Sequence, residues 1–207
     1  MSDEASQTRR QFLRSATVLP AAFAVGASVD VQAQAPGAPP TPACGEGDAH
    51  TPAQTAGPYF KPNSPRRTSL VEPGTSGTRI VIAGTVRTTD CTPVPRALVD
   101  FWQADDRGHY DNAGDRLRGH QFTDGEGRYR LETIVPGHYP GRTRHIHVKV
   151  QAPSRPVLTT QLYFPGDPAN ERDGLFRPEL VLNVREGRTG RAASFDFVLP
   201  VSSARRA

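Results

Sequence analysis

Prolines and glycines cut this chain into short pieces. There are 20 prolines and 19 glycines in 207 residues, nearly a fifth of the whole. Proline removes a helix donor and clashes with the preceding turn, while glycine loses the most backbone entropy on ordering. Long helices and coiled coils are disfavoured, and a turn-rich domain built of strands is expected. The runs between the breaks have the two-residue period of strands. Arg79–Val86 is one. In Ala97–Gln103, Leu98, Asp100 and Trp102 share one face and Val99 and Phe101 the other. The turn cluster Thr123–Gly127 leads into Arg128–Ile134, which Pro136 and Gly137 stop. Arg144–Val150 alternates cleanly, and Thr159–Phe164 ends at Pro165-Gly166-Asp167-Pro168. Leu180–Val184 and Ala193–Leu199 read as a hairpin closed across Glu186–Gly190. Seven or so short strands predict an all-β, two-sheet β-sandwich with long loops. Helix is limited to a short piece near Asp167–Asp173, and no internal repeat is visible.

The charge pattern narrows the partners. The net charge of +4 is almost wholly arginine, since lysine occurs only at Lys61 and Lys149. The arginines are scattered, with no basic helix and no aromatic platform, so no nucleic-acid partner is expected. No apolar run is long enough to span a membrane.

The first 35 residues read as an address label. A polar start leads to Arg9-Arg10-Gln11-Phe12-Leu13-Arg14, then to an uncharged, mildly apolar stretch, then to Ala33-Gln34-Ala35. That order resembles a twin-arginine export signal with a peptidase site. The predicted organisation is a signal peptide over 1–35, a Pro-rich linker and N-terminal segment over 36–53, the sandwich over 54–200 and a tail over 201–207. The twin-arginine export machinery is then a partner, and the destination is the periplasm or the exterior. That route carries folded proteins, often with a metal inside. Cys44 and Cys91 are the only cysteines, and in an exported chain they read as a disulfide. Closing a loop of about 47 residues would contribute roughly 4 kcal/mol on chain-entropy grounds. Two unpaired thiols remain the alternative.

One constellation carries chemistry. His145 and His147 are two apart on a strand and share a face, so both imidazoles can converge on one metal. Ile146, Val148 and Val150 point the other way. Alone, such a pair is more commonly a solvated strand face. Tyr139 and Arg142, however, sit just before it on a Pro- and Gly-rich turn. Tyr110 lies on the loop leaving the Ala97–Gln103 strand.

Thr55–Tyr59, Val99–Asp105 with Gly108-His109-Tyr110, Pro136–Tyr139, Arg142–His147 and Thr159–Asp167 occur in this order. Together they resemble the intradiol ring-cleavage dioxygenases, the group of the catechol and protocatechuate dioxygenases, most closely the exported single-domain members. The resemblance implies a non-haem Fe(III) held by Tyr110, Tyr139, His145 and His147. Phenolates are hard anionic donors that suit Fe(III) better than Zn(II) or Cu(I). It implies a substrate of catechol type and O2, ring cleavage between the two hydroxylated carbons, and muconate-type products carrying both oxygen atoms. Tyr139 is the expected base, Arg142 the cation that stabilises charge on the ring, and Gln161 a neighbour of the oxygen site. Tyr59 and Trp102 are candidates for the pocket wall, each equally compatible with core packing. His109 and His138 are rival ligands. Tyr129 and Tyr163 read as structural, and His50 and His120 as solvent or turn residues. The stretch from Tyr139 to His145 is shorter than in the protocatechuate enzymes, which implies a more open mouth. Family members often associate, and self-association of this chain is left open. Two other readings stand beside this one: a non-enzymatic sandwich acting as a binding or carrier module, and a zinc or copper site on the histidine pair.

Overall fold

The computed structural model describes residues 50–187 and 190–200. The expected leader at 1–35, most of the linker, Cys44 and the tail at 201–207 lie outside the described residues. The strands are β1 Arg79–Thr88, β2 Leu98–Trp102, β3 Arg118–Phe122, β4 Arg128–Ile134, β5 His145–Gln151, β6 Leu158–Tyr163, β7 Asn183–Gly187, β8 Gly190–Ser194 and β9 Phe197–Leu199. They form two sheets. One runs β4-β1-β8-β7, with β9 beside the end of β1, and the other runs β3-β2-β5-β6. This is the two-sheet sandwich the punctuation predicts.

Alternation builds the core. Ile80, Ile82 and Val86 of β1 point inward with Tyr129 and Leu131 of β4. Val99, Phe101, Ile146, Val148, Val150 and Leu162 face them from the second sheet. Burying each large side chain contributes about 1.5–3 kcal/mol. Among the described residues helix is confined to two 3-10 turns, Pro168–Arg172 and Pro178–Leu180. Asp167 caps the first by accepting from the Ala169 amide. Among the described residues no helix is long and apolar enough to cross a membrane.

The structure departs from the sequence reading in three places. β3 has no sequence signal. Its Arg-Gly-His-Gln-Phe run has weak strand propensity, and it is a strand because β2 and a bridge at Arg66 pair with it. The last hairpin is shifted: Pro178–Leu180 is a 3-10 turn and the strand begins at Asn183. Finally, Ala193–Leu199 is not one strand. It breaks at Phe195 and Asp196, where the Asp196 carboxylate accepts from the Thr85 amide and displaces a ladder partner.

Candidate metal centre

The outer face of the four-stranded sheet carries the polar groups. Register puts Arg118, Trp102, His147 and Gln161 in one lateral row, because Trp102 pairs with both Arg118 and His147, and His147 with Gln161. His145 lies in the adjacent row opposite Tyr163. Loops and the N-terminal segment cover this face, leaving His145 at 4% and His147 at 3% exposure.

The two imidazoles meet. Their Nε2 atoms are 3.1 Å apart, and the Tyr110 hydroxyl is 3.4 Å from Nε2 of His145. His145 Nδ1 lies 2.6 Å from the Thr143 carbonyl, which can only accept, so Nδ1 carries the proton and Nε2 keeps its lone pair. Burial holds both rings neutral. It brings His145 down to about 4, and it drives His147 well below the usual range with help from His145, Arg142 and Arg118. His147 stacks on Trp102 with centroids 4.9 Å and planes 3° apart. Its Nδ1 is buried without a completed hydrogen bond, although the Thr55 backbone approaches the ring.

Three phenols pack alongside. Tyr59 stacks on Tyr110 at 4.4 Å and donates to the Tyr139 hydroxyl at 3.1 Å. Tyr139 stands edge-on to both rings. Burial pushes the Tyr110 phenol well above its ordinary value, so an anion there needs a cation beside it. The Tyr139 hydroxyl bond raises Tyr59, ahead of burial.

Arg142 is held rather than free. Its Nε donates to both oxygens of Asp173, at 2.8 and 3.1 Å, and its Nη2 donates to Gln161 Oε1 at 2.5 Å. Asp173 also accepts from the Thr143 and Leu175 amides. Gln161 Nε2 donates to the Thr55 carbonyl. The Tyr163 hydroxyl sits 2.7 Å from both Gln54 Oε1 and the Leu175 carbonyl, a brace beneath His145.

The structure thus brings Tyr59, Tyr110, Tyr139, Arg142, His145, His147 and Gln161 together. Trp102, at 2% exposure, is the floor under His147. His138 turns to Asp167 at 2.9 Å, and His109 is a solvent-facing ring 3.7 Å from Asp105. Three contributors escaped the sequence reading. Asp173 and Arg118 gave no local signal. Gly57 lies in the Thr55–Tyr59 segment, but its role is geometric: at φ +66° it lies where a Cβ would stand 3.3 Å from His147 Cε1. Tyr139 separates two depressions of about 420 and 380 Å³, the first bounded by Arg142 and Asp173, the second by Tyr59 and Tyr110.

The donor chemistry fits a hard cation. Two neutral imidazole nitrogens 3.1 Å apart can touch one common ion, and an anionic phenol beside them would balance its charge. Among the described residues no group of three or more His, Cys, Asp or Glu could hold a metal. The oxygen donor beside the pair is the Tyr110 phenol, a type that suits a hard cation better than Zn(II) or Cu(I).

Comparison with known proteins shows the family. A family described as Dioxygenase matches residues 55–201. A hydroxyquinol 1,2-dioxygenase of Nocardioides simplex is 34% identical over 154 residues, covering 63% of this chain and 52% of its own length. The chain spans about half the length of the first curated relatives it matches. The solved dioxygenase domain of a carbohydrate-binding fusion protein from Streptomyces sp. SirexAA-E is 58% identical, with a TM-score of 0.73. It aligns over 74% of this chain and 100% of that one. An intradiol ring-cleavage dioxygenase from Tetranychus urticae is 25% identical with a TM-score of 0.68, over 74% and 95% of the two chains. With most of the sandwich matched by these proteins and by the family itself, the chain belongs to the intradiol ring-cleavage dioxygenases.

Proposed function

We propose that this protein is a non-haem Fe(III) dioxygenase that opens catechol-type rings between the two hydroxylated carbons, using O2. The observation that carries the reading is the meeting of His145 Nε2, His147 Nε2 and the Tyr110 hydroxyl within 3.1 and 3.4 Å, with Tyr139 linked through Tyr59. The family's use of non-haem iron supports it.

Tyr110, Tyr139, His145 and His147 would hold the ion. Bound there, the iron supplies charge neutralisation for two phenolates and a template that activates a chelated catecholate toward O2. The residues around it do the rest. Neutral His145 presents its lone pair because Thr143 fixes its tautomer. Trp102 and Gly57 pack against His147, limiting its rotation and excluding water. The Tyr139 phenolate oxygen takes a catechol proton, with the Tyr59 hydroxyl beside it to hold the resulting phenol. Arg142, aimed by Asp173 and Gln161, places a guanidinium where negative charge grows on the ring.

The reading extends to the rest of the chain. The 1–35 segment directs twin-arginine export, Cys44 pairs with Cys91 after export, and the enzyme works in the periplasm or outside the cell. The test is a visible spectrum of purified protein with and without catechol under air. A red to burgundy band that changes on addition, followed by ultraviolet absorbance of a muconate, is expected. Colourless protein with stoichiometric iron sinks the reading.

A further inference from the structure

Arg118 is a charged side chain that the proposed chemistry does not use. The residue is 2% exposed, at the β3 end of the row that contains Trp102 and His147. A buried guanidinium costs much free energy unless its donors are satisfied. Here none of its hydrogen-bond partners is a carboxylate. Nε and Nη2 both donate to the Asp111 carbonyl, at 3.2 and 2.8 Å, and Nη1 donates to the Tyr59 carbonyl at 2.7 Å. Those carbonyls belong to different segments. Asp111 follows Tyr110 directly, in a loop tightened by three amides on its carboxylate. Tyr59 ends the Thr55–Tyr59 strap, whose other end Gln161 holds at the Thr55 carbonyl at 3.0 Å. The two ends of the row thus grip the two ends of the strap, and Gly57 is laid against His147 between them.

We propose that Arg118 is a positioning residue: by gripping the Asp111 and Tyr59 carbonyls at once, it holds the Tyr110 hydroxyl at the histidines and seats the strap over His147. The inference rests on reading the site as a ferric centre. A planar fork can serve both carbonyls, and a lysine ammonium cannot reproduce it. The exposed tie from Lys61 to the Gly114 carbonyl does not replace it, since it reaches neither Tyr110 nor the strap's Tyr59.

The test compares wild type, Arg118→Lys and Arg130→Lys, the last at an exposed position on β4. In metal-free crystals of Arg118→Lys, the Tyr110 hydroxyl is expected to move beyond its 3.4 Å separation from His145 Nε2. Iron affinity by chelator competition is expected to fall about 10–100-fold, with a shifted visible band. Arg130→Lys should match wild type in all three. An unmoved Tyr110 overturns the proposal whatever the iron affinity, as does wild-type affinity in a folded Arg118→Lys. If Arg118→Lys does not fold, Arg118→Gln takes its place; if neither folds, Arg118 serves folding alone and the proposal falls. A wild type that binds no iron, beside a displaced Tyr110 in the variant, would defeat the ferric reading and leave the positioning role standing.

Discussion

At the end of β5 that carries the histidines, the two faces are about equally dry and chemically opposite. Ile146, Val148 and Val150 are 0% exposed against the first sheet, while His145 and His147 are 4% and 3% exposed beneath loops. The inner face is covered by strands whose backbone is already paired, so apolar contact suffices. The outer face is covered by irregular segments whose amides and carbonyls need partners. Thr55, Tyr59, Asp111 and Leu175 each offer a carbonyl there, and Gln161, Arg118 and Tyr163 supply donors. Burial on one side stabilises the fold; on the other it withholds water from groups that retain unused lone pairs. The outer face should therefore be nearly replaceable for stability and irreplaceable for function, with the inner face the reverse.

His147→Ala tests this contrast most severely. Turnover and the visible band should vanish, a loss of at least roughly a thousandfold, equivalent to about 4 kcal/mol. Metal-free thermal stability should fall far less than an equally buried apolar truncation costs. Calorimetry of the metal-free protein beside an oxygen-uptake assay reads both quantities. Ile146→Ala, one residue away, should do the opposite. It opens a cavity in the core and costs about 2–5 kcal/mol, yet the folded fraction should keep its iron colour. If Ile146→Ala bleached the protein at temperatures where it stays folded, the separation of the faces would fail.

Acid sharpens the same contrast. His145, ordinarily near 6.5, is held down to about 4 by burial. A histidine with a depressed folded pKa binds its proton more readily in the unfolded chain. Metal-free stability should thus rise with pH between about 4 and 6.5, by about 3 kcal/mol across the window. Asp167 and Asp173 act lower. Burial is the largest single influence and pushes both up, but the lowering contacts together outweigh it: the Ala169 amide, His138 and Arg144 at Asp167, and the Leu175 and Thr143 amides with Arg142 at Asp173. Their contribution is lost only as the pH falls through values below the usual carboxylate range. Denaturant melts of metal-free protein at pH 4.5 and 7 measure the histidine part. A flat profile over that range would mean the imidazoles are wetter than the structure has them.

Period-two alternation sufficed to find β5 and to place His145 and His147 on one face, because both faces of that strand differ in polarity. It failed for β3, where Gly119 and Gln121 point inward and Arg118 and His120 outward, a pattern no apolar rhythm reveals. Tyr110 and Tyr139, the proposed ligands, were legible only through their segments, since loop residues have no period. Asp173 and Arg118 were illegible for a different reason. Arg118 acts on the Asp111 and Tyr59 carbonyls, and Asp173 on the Arg142 side chain and the Thr143 amide, partners brought close only by the fold and without a local mark in the sequence. Trp102 was offered as pocket wall or as packing. It packs, but against a site histidine, so neither description alone was sufficient.

Tyr163 is where the contrast should weaken. It sits on the outer face opposite His145, fully buried, and its hydroxyl lies 2.7 Å from Gln54 and Leu175 and 3.2 Å from Gln161. By position it belongs with the chemistry; by its contacts it fastens the N-terminal segment to the chain beyond β6. Tyr163→Phe removes one donor and leaves acceptors that Gln161 and Gln54 still border, so the expected cost is about 0.5–1.5 kcal/mol of stability. The visible band of the iron-loaded protein should keep its position, and KM for catechol should change little. A band shift would instead place Tyr163 in electronic contact with the centre through His145, and the outer face would then be one functional surface from Arg118 to β6 rather than a site set within a structural frame.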